Sequence, residues 1–321
     1  MAVYTHISAA ELDAFWRDFD LPALTGFIGI NEGTENSNYR IETETGPYIL
    51  TLYEKRTKVE ELPFFIALMQ HLAGKSITCP QPVAARDGVA LRHLAGRPAL
   101  VTTFLPGQSV LRGIMPEHCY ELGRALASMH LAVADFAPTR RNALDLTGWG
   151  ELVAACADGA DGVISGLRTT LLHELEILTA SWPTALPRGI IHADLFPDNV
   201  FFRDGKLSGL IDFYFACSDA YAYDLAICLN AWCFEDHVAF NITKARQLLR
   251  GYHAVRPLNA DELTALPLLC RGAALRFLLT RLYDVLHPKG GKPRDPRDYL
   301  KRLNFHQQVR AVSEYGLEIE A

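Results

Sequence analysis

The hydrophobic pattern of this chain changes once, and that change limits what the chain can fold into. The first third carries short β-branched and aromatic runs, of which Tyr48-Ile-Leu-Thr-Leu-Tyr53 is the clearest. Helical periodicity dominates the remainder, which contains one strand-turn-strand pattern over 200–211. Leu105-Pro-Gly107 separates the two parts and predicts a connecting segment. We therefore predict an α+β fold of two lobes, a small antiparallel β lobe over 1–104 and a mainly helical lobe over 105–321.

Composition limits the class of function. Hydrophobic residues make up 49% of the 321-residue chain, and the formal net charge is -6, so we expect a globular core and no nucleic-acid partner. No apolar run reaches the ~20 residues of a membrane helix, and no secretory signal is visible. The seven cysteines are scattered without zinc spacing, which favours reduced core residues. These features predict a cytoplasmic enzyme, monomeric or homodimeric, that does not bind a membrane.

The chemistry is concentrated in the segment Ile191-His-Ala-Asp-Leu-Phe-Pro-Asp-Asn199 and in Ile211-Asp-Phe213. Asp194 and Asn199 are five positions apart on a loop, and the predicted hairpin after them turns the chain back towards Asp212. Two carboxylates and a carboxamide would then converge, and their oxygens suit Mg²⁺. Phosphoryl transfer from ATP needs such a set, in which one Asp handles the attacking hydroxyl while another Asp and an Asn hold the metal. Asp, Asn and Pro are also common turn residues, but the whole arrangement is far more specific than a turn.

The HADLFPDN segment followed by LIDF resembles the signature of the aminoglycoside phosphotransferase and choline kinase superfamily. That resemblance implies a protein-kinase-like fold, with Asp194 as catalytic base and with Asn199 and Asp212 as metal ligands. It also implies that Asp224, in a Tyr-Asp-Leu-Ala stretch, braces the loop, and that His192 is a loop-holding residue. Ala193 stands where protein kinases carry the Arg that reads a phosphorylated activation loop, so we expect no such switch.

Four further segments narrow the resemblance to the homoserine kinases of the aminoglycoside-phosphotransferase-like type. They are Glu32-Gly-Thr-Glu-Asn-Ser-Asn-Tyr39, Tyr48-Ile-Leu-Thr-Leu-Tyr-Glu-Lys55, Leu62-Pro-Phe-Phe65, and the stretch from Asp212-Phe-Tyr-Phe-Ala216 to Leu229-Asn-Ala-Trp232. The resemblance covers nearly the whole chain. It implies transfer of the ATP γ-phosphate to the side-chain hydroxyl of L-homoserine, with Mg²⁺, in threonine biosynthesis.

The nucleotide side of the site is less distinctive. The glycine-bearing segment over 29–38 lies where the family has its phosphate-covering loop, and in it we assign Gly33, Ser37 and Asn38. A plain hairpin turn would look the same. The family pattern places a Lys or Arg on the third strand where this chain has Thr51, so Lys55, on the same strand face, could replace it and pair with Glu60 or, our choice, Glu61. By analogy of fold we expect adenine near the backbone of 102–105, with Thr103 and Leu105 as contacts.

Homoserine presents a carboxylate, an ammonium group and the reacting hydroxyl, so its pocket needs an Arg or equivalent donors. The candidate acceptor-binding residues are Tyr214, Asn230, Trp232, Arg276 and Arg281. The two arginines lie in a stretch rich in Leu and Phe, although both would also fit surface salt bridges. A choline or ethanolamine kinase stays open, because Trp232, Tyr214 and Tyr223 could form a cation cage. The same superfamily resemblance leaves room for a methylthioribose kinase or an aminoglycoside kinase.

Overall fold

The elements follow the predicted change from strands to helices. The computed structural model describes residues 4–30, 36–54, 58–236, 238–288 and 293–318. In chain order the elements are α1 Ala9–Trp16, β1 Leu24–Ile30, β2 Ser37–Thr43, β3 Tyr48–Leu52, α2 Leu62–Gly74, β4 Arg92–Leu94, β5 Arg97–Thr103, β6 Gln108–Ser109, α3 Pro116–Ala132, α4 Leu146–Val163, α5 Leu167–Ser181, β7 Arg188–Ile191, β8 Val200–Arg203, β9 Lys206–Leu210, β10 Cys217–Ala220, α6 Tyr221–Trp232, β11 Phe234–Glu235, β12 Ala239–Phe240, α7 Ile242–Val255, α8 Ala260–Leu286 and α9 Arg297–His306.

These elements belong to two compact units. The N-terminal unit contains Met1–Gln108, Phe136–Pro138 and Ser208–Tyr214. The C-terminal unit contains Ser109–Asp135, Thr139–Leu207 and Phe215–Ala321. The predicted limit between 104 and 105 stays a prediction of lobe organisation.

The N-terminal unit is built on an antiparallel sheet in the order β1-β2-β3-β5-β4. Apolar side chains of the central strands, such as Ile41, Leu50 and Val101, are fully buried, because strand residues two apart share one face of the sheet. Helix α1 covers this face, with Trp16 in an edge contact to Tyr48 at 5.7 Å between ring centroids. Ser8 and Glu11 form a capping box at the start of α1. The predicted antiparallel β region is therefore confirmed.

Helices dominate the C-terminal unit, and α3 and α7 cross at very short range. A Cβ added to Gly123 of α3 would lie 2.1 Å from the carbonyl oxygen of Leu248, and one added to Gly251 of α7 would lie 2.2 Å from that of Tyr120. Only glycine allows this approach, because any side chain would displace the opposing backbone.

The longest helix, α8, is part of the core. By length and composition it could cross a membrane, but 67% of its most apolar window is buried within the protein. Burial of this kind is expected for the central helix of a globular unit.

A β-hairpin and a second strand pair frame the loop that carries the predicted chemistry. Strands β8 and β9 are adjacent, and they are joined by Asp204 and Gly205 at φ 52° and 75°, the two positive φ angles of a type I′ turn. This confirms the predicted hairpin. Strand β7 pairs with β10, with Ile191 opposite Cys217, so the loop over 192–199 begins where β7 ends and finishes where β8 begins.

Candidate active site

The backbone of the loop over 192–199 is held by one buried carboxylate. Asp224 lies in the first turn of α6 and has no exposed surface. Its two oxygens accept hydrogen bonds from the backbone N–H of His192 (2.7 Å) and of Ala193 (2.9 Å). Charge-assisted bonds of this type are stronger than neutral ones, so Asp224 fixes the direction in which the chain leaves β7. These are the contacts that a bracing residue requires.

A buried polar chain continues from Asp224 into the helices. Asp224 contacts Nε2 of His130 at 3.2 Å, and Nδ1 of His130 contacts the hydroxyl of Tyr252 at 2.7 Å. Burial lowers the pKa of His130, so the ring is neutral and Nε2–H donates to Asp224. Burial acts to raise the pKa of Asp224, but hydrogen bonds from His130 and the nearby His192 hold it below the ordinary value. The brace is therefore an ionised carboxylate.

Ala193 has an unusual backbone conformation, which is stabilised by hydrogen bonds to both its N–H and its carbonyl group. Its φ of 63° is in the left-handed region, which costs a non-glycine residue roughly 1 kcal/mol or more. Its N–H donates to Asp224, while its carbonyl accepts a 2.6 Å hydrogen bond from Nη1 of Arg276. These two contacts hold the turn that leads from His192 to Asp194.

Asp194 and Asn199 lie together within the C-terminal unit. The carboxamide nitrogen of Asn199 donates to the backbone carbonyl of Asp194 at 2.8 Å and approaches its Oδ2 at 3.4 Å. The 3₁₀ turn Pro197–Asn199 closes the loop. Since the nitrogen of Asn199 is used within the loop, its Oδ1 is the atom available to a cation. The predicted His192 is fully buried, and its Nδ1 accepts from the backbone N–H of Asp194 at 3.3 Å.

Asp212 belongs to the N-terminal unit, where it follows β9 in the left-handed conformation with φ 64°. Two positions later, the hydroxyl of Tyr214 contacts that of Tyr53 at 2.7 Å. Burial raises the pKa of both tyrosines, and the charge of Asp212 adds to the effect. Tyr214, one of the predicted acceptor-binding residues, is therefore packed against the sheet in this unit.

The predicted nucleotide-binding positions are distributed over the N-terminal unit. Ser37 is fully buried and accepts from the backbone N–H of Tyr4 at 2.8 Å, while Asn38 accepts from Thr51 at 2.8 Å. Thr103 ends β5 and accepts from the backbone of Gln81. Of the other predicted residues, Glu61 ends a 3₁₀ turn and Leu105 is buried. Gly33 and Lys55 lie outside the described residues.

Three predicted acceptor-binding residues make internal contacts in the C-terminal unit. The carboxamide of Asn230 donates to the carbonyls of Ala226 and Cys270. The indole of Trp232 donates to the carbonyl of Leu195 at 2.8 Å, and Arg276 contacts Ala193 as described above. Trp232 and Arg276 thus contact the backbone of the loop, whereas Asn230 contacts the backbone of α6 and α8; the assignment of all three to the acceptor stays a prediction.

Arg281 has a different environment, and it reveals residues that sequence reasoning missed. Its guanidinium carbon lies 4.5 Å from the ring centroid of Tyr299, and that of Arg302 lies at the same distance. Tyr299 and Arg302 belong to α9 and are buried. The available signal was the helical spacing of aromatic and basic residues over 297–306, which alone is typical of an ordinary amphipathic helix.

Comparison with known proteins identifies the family of this chain. Residues 26–258 match the model of the phosphotransferase enzyme family. The chain belongs to this family. Among curated relatives of this phosphotransferase, the homoserine kinase of Xanthobacter autotrophicus is 58% identical over 320 residues, covering 99% of each chain. The homoserine kinase of Parvibaculum lavamentivorans is 57% identical over 321 residues, covering 99% of this chain and 100% of the relative.

Solved structures of distant phosphotransferases share the fold. The amicoumacin kinase hAmiN, solved with AMP-PNP, Ca²⁺ and Ami, superposes with a TM-score of 0.68 at 16% identity and covers 94% of this chain and 92% of that one. Choline kinase from Cryptosporidium parvum Iowa II gives a TM-score of 0.67 at 12% identity, covering 94% and 95%. These similarities confirm the predicted kinase-like α+β fold.

Proposed function

We propose that this phosphotransferase is an ATP:L-homoserine O-phosphotransferase. One observation carries the proposal: homoserine kinases match 99% of the chain at 57–58% identity. The presence of Asp194, Asn199 and Asp212 is consistent with it. Similarity of this extent covers both units, whereas the solved neighbours at 12–16% identity share the fold alone. The product would supply a threonine-forming step, and we further propose that the enzyme works in the cytoplasm, where ATP is available.

The proposed reaction gives Asp194 one task and the proposed metal ligands Asn199 and Asp212 another. The hydroxyl oxygen of homoserine forms a bond to the γ-phosphorus of ATP, the bond from that phosphorus to the bridging oxygen breaks, and ADP leaves. The hydroxyl proton passes to a carboxylate oxygen of Asp194. Because the backbone of Asp194 is held through Ala193, Asp224 and Arg276, the base keeps one position while the acceptor approaches.

Mg²⁺ fits the donor set that this proposal assigns to it. Asn199 spends its amide nitrogen on the carbonyl of Asp194, which leaves a carboxamide oxygen, and Asp212 contributes a carboxylate. Hard oxygen donors of this kind are those that Mg²⁺ selects. When bound, the cation neutralises the phosphate charge. We propose Asn199 and Asp212 as its protein ligands.

A choline-type acceptor receives less support from the described residues. A quaternary ammonium needs open aromatic faces, but Tyr223 and Trp232 are each only 1% exposed. The edge of Trp232 is further committed to the carbonyl of Leu195. The ring of Tyr223 packs against those of Trp149 and Trp182, so a cage built from Tyr223 and Trp232 is not favoured.

The test is ATP consumption with purified protein and a panel of acceptors: L-homoserine, choline, ethanolamine, methylthioribose and kanamycin. We expect homoserine to give the highest kcat/KM, with the phosphate on its side-chain oxygen by mass spectrometry and ³¹P NMR. Asp194→Asn serves as the inactive control for contaminating kinases. Higher kcat/KM for any other acceptor would overturn the assignment.

A further inference from the structure

Tyr299 and the arginines around it form a cluster that neither the fold nor the proposed loop chemistry accounts for. Tyr299 has no exposed surface, and the guanidinium groups of Arg281 and Arg302 both lie against its ring. Its hydroxyl has no hydrogen-bond partner among the described residues, and neither does Nε of Arg302. Buried donors are almost always paired, so this concentration of unused donors calls for an explanation.

The cluster lies beside the loop that carries the proposed base. The ring of Phe277 contacts Tyr299 at 5.2 Å and Phe196 at 4.9 Å between centroids, and Phe196 is two residues beyond Asp194. Burial raises the pKa of Tyr299, Arg302 and Arg281 oppose that effect, and the charge of Asp194 adds to it. The aromatic contacts and the charge interaction place the cluster within a short distance of Asp194.

Positive charge in the cluster is only partly neutralised. Arg281 pairs with Asp298 at 3.1 Å, whereas Arg302 is 5% exposed and its Nη1 donates to the backbone carbonyl of Asn230. Within the described ranges, no carboxylate pairs with Arg302. Burial lowers the pKa of Arg281, and repulsion from Arg294 and Arg302 contributes. A positive potential of this kind attracts an anionic group and repels a cation.

Arg281 is the member of the cluster that a ligand could reach. Its side chain keeps 13% of its surface exposed, while Arg302 and Tyr299 are enclosed. Only Nη1 of Arg281 is hydrogen-bonded among the described residues, to the carbonyl of Asp295 and to Asp298. The remaining guanidinium N–H groups could form the paired hydrogen bonds that an arginine offers to a carboxylate.

We propose that Arg281 binds the carboxylate of the acceptor amino acid, with Tyr299 holding the guanidinium in place and Arg302 strengthening the potential. This inference rests on the proposed function and deepens it, because it makes an anionic group a requirement for the acceptor. It also separates the two arginines of α8 that were predicted to bind the acceptor: Arg281 would act on substrate binding, whereas Arg276, bonded to Ala193, would position the loop.

The experiment compares L-homoserine with 3-aminopropan-1-ol, which is homoserine without its carboxylate. For the wild type we expect kcat/KM to favour homoserine by about 100-fold or more. Arg281→Gln should lower kcat/KM for homoserine by about 10- to 100-fold, mostly through KM, the effect expected from losing a charge-assisted hydrogen bond. The same variant should leave kcat/KM for 3-aminopropan-1-ol within about twofold.

Matched variants separate carboxylate binding from loss of structure. Lys301→Gln removes a positive charge from the exposed face of the same helix as Arg302 and should leave the discrimination unchanged. Asp298→Asn breaks the ion pair of Arg281 but leaves the positive charge of Arg281 in place, so homoserine should still be preferred. Arg281→Lys keeps the charge without the paired geometry and should restore part of the preference, which gives a readout if Arg281→Gln folds poorly.

The outcomes distinguish this inference from the proposed function. If the wild type does not phosphorylate homoserine, the proposed function fails and the carboxylate site fails with it. If the wild type is active but Arg281→Gln preserves the preference for homoserine, only the carboxylate site is wrong. Equal losses of kcat/KM on both acceptors would likewise overturn the site, because they would mean that Arg281 acts on the fold.

Discussion

Arg276 and Ala193 are joined by a 2.6 Å hydrogen bond between Nη1 of the arginine and the backbone carbonyl of the alanine. The guanidinium comes from α8, is 1% exposed, and lies 4.6 Å from the ring centroid of Phe277. Ala193 is the residue before the proposed base, and its backbone has a left-handed conformation. A buried charge that contacts a strained backbone carbonyl is well suited to fix the position of the next residue.

Replacing Arg276 should therefore affect turnover more than binding. We expect Arg276→Met to lower kcat by about tenfold or more, since losing about 1.4 kcal/mol in the transition state corresponds to that factor. The KM values for ATP and homoserine should change less, and Arg276→Lys should recover part of kcat. Steady-state kinetics with a thermal melt of each variant measures this. A raised KM for homoserine at unchanged kcat would instead make Arg276 an acceptor ligand.

Asp194→Asn tests the proposed base. The asparagine keeps the size of the side chain but cannot accept the hydroxyl proton as a carboxylate does, so kcat should fall by about 100-fold or more. The affinity for ATP, measured by calorimetry on the same preparation, should remain close to that of the wild type. Turnover near the wild-type value would remove Asp194 from this role.

Asp212→Asn tests the proposed metal ligand. Loss of one carboxylate should raise the Mg²⁺ concentration that gives half-maximal activity by about tenfold or more. The matched control is Asp204→Asn in the exposed turn of the hairpin, where asparagine also tolerates a positive φ and where the side chain is 92% exposed. If the two variants gave the same Mg²⁺ dependence, the assignment of Asp212 would be wrong.

The burial of His306 should make the protein less stable in weak acid. Burial, followed by the charge of Arg302, lowers its pKa from 6.5 to about 3. The His306 imidazole therefore takes up a proton at a higher pH in the unfolded chain than in the folded chain. The contribution of neutral His306 to the free energy of unfolding is complete above about pH 6.5 and declines as the pH falls from there towards 3. By pH 5 the loss is about 2 kcal/mol.

Urea unfolding at pH 7 and pH 5 measures this dependence. In His306→Gln the difference between the two pH values should shrink, because glutamine does not titrate. It should not vanish, since His130 is also buried with a lowered pKa and contributes with the same sign. An unchanged difference would show that His306 is accessible to protons in the folded state.

The crossing of α3 and α7 can be tested with a pair of glycines. Gly123→Ala would place a methyl group 2.1 Å from the carbonyl oxygen of Leu248, so we expect a loss of about 1–3 kcal/mol or more in unfolding free energy. Gly150 lies in α4 with open space around it, so Gly150→Ala should be neutral or stabilise by up to about 1 kcal/mol. Similar changes for both would mean that the helices can separate at little cost.

Sequence was most informative where the structure depends on neighbours in the chain. The hairpin follows from the Asp204-Gly205 pair, and the loop follows from the spacing of Asp194 and Asn199; the hairpin was predicted over 200–211, and its strands are Val200–Arg203 and Lys206–Leu210. Helix α2 illustrates the usual error at a boundary. The apolar pattern of the sequence predicts a helix over 59–73, but Val59–Glu61 form a 3₁₀ turn and the α-helix begins at Leu62.

The contacts that position the loop could not be predicted, because they join residues far apart in the chain. Arg276 is 83 positions from Ala193, and His130 is 94 positions from Asp224. Nothing in the sequence around Tyr299 indicates that two guanidinium groups lie against its ring. Sequence periodicity identifies which face of a helix is apolar, but not which buried polar group the opposite element presents to it.

All seven cysteines of the chain are reduced and buried, and burial raises the pKa of several thiols, including Cys79 to about 12. Thiolates are the reactive form, and none of the seven sulfur atoms is on the surface of the folded molecule. Alkylating or oxidising reagents therefore gain access to sulfur only when the fold opens. The cysteines consequently act as internal reporters of unfolding, spread over both units, and their modification marks molecules that have already lost their structure.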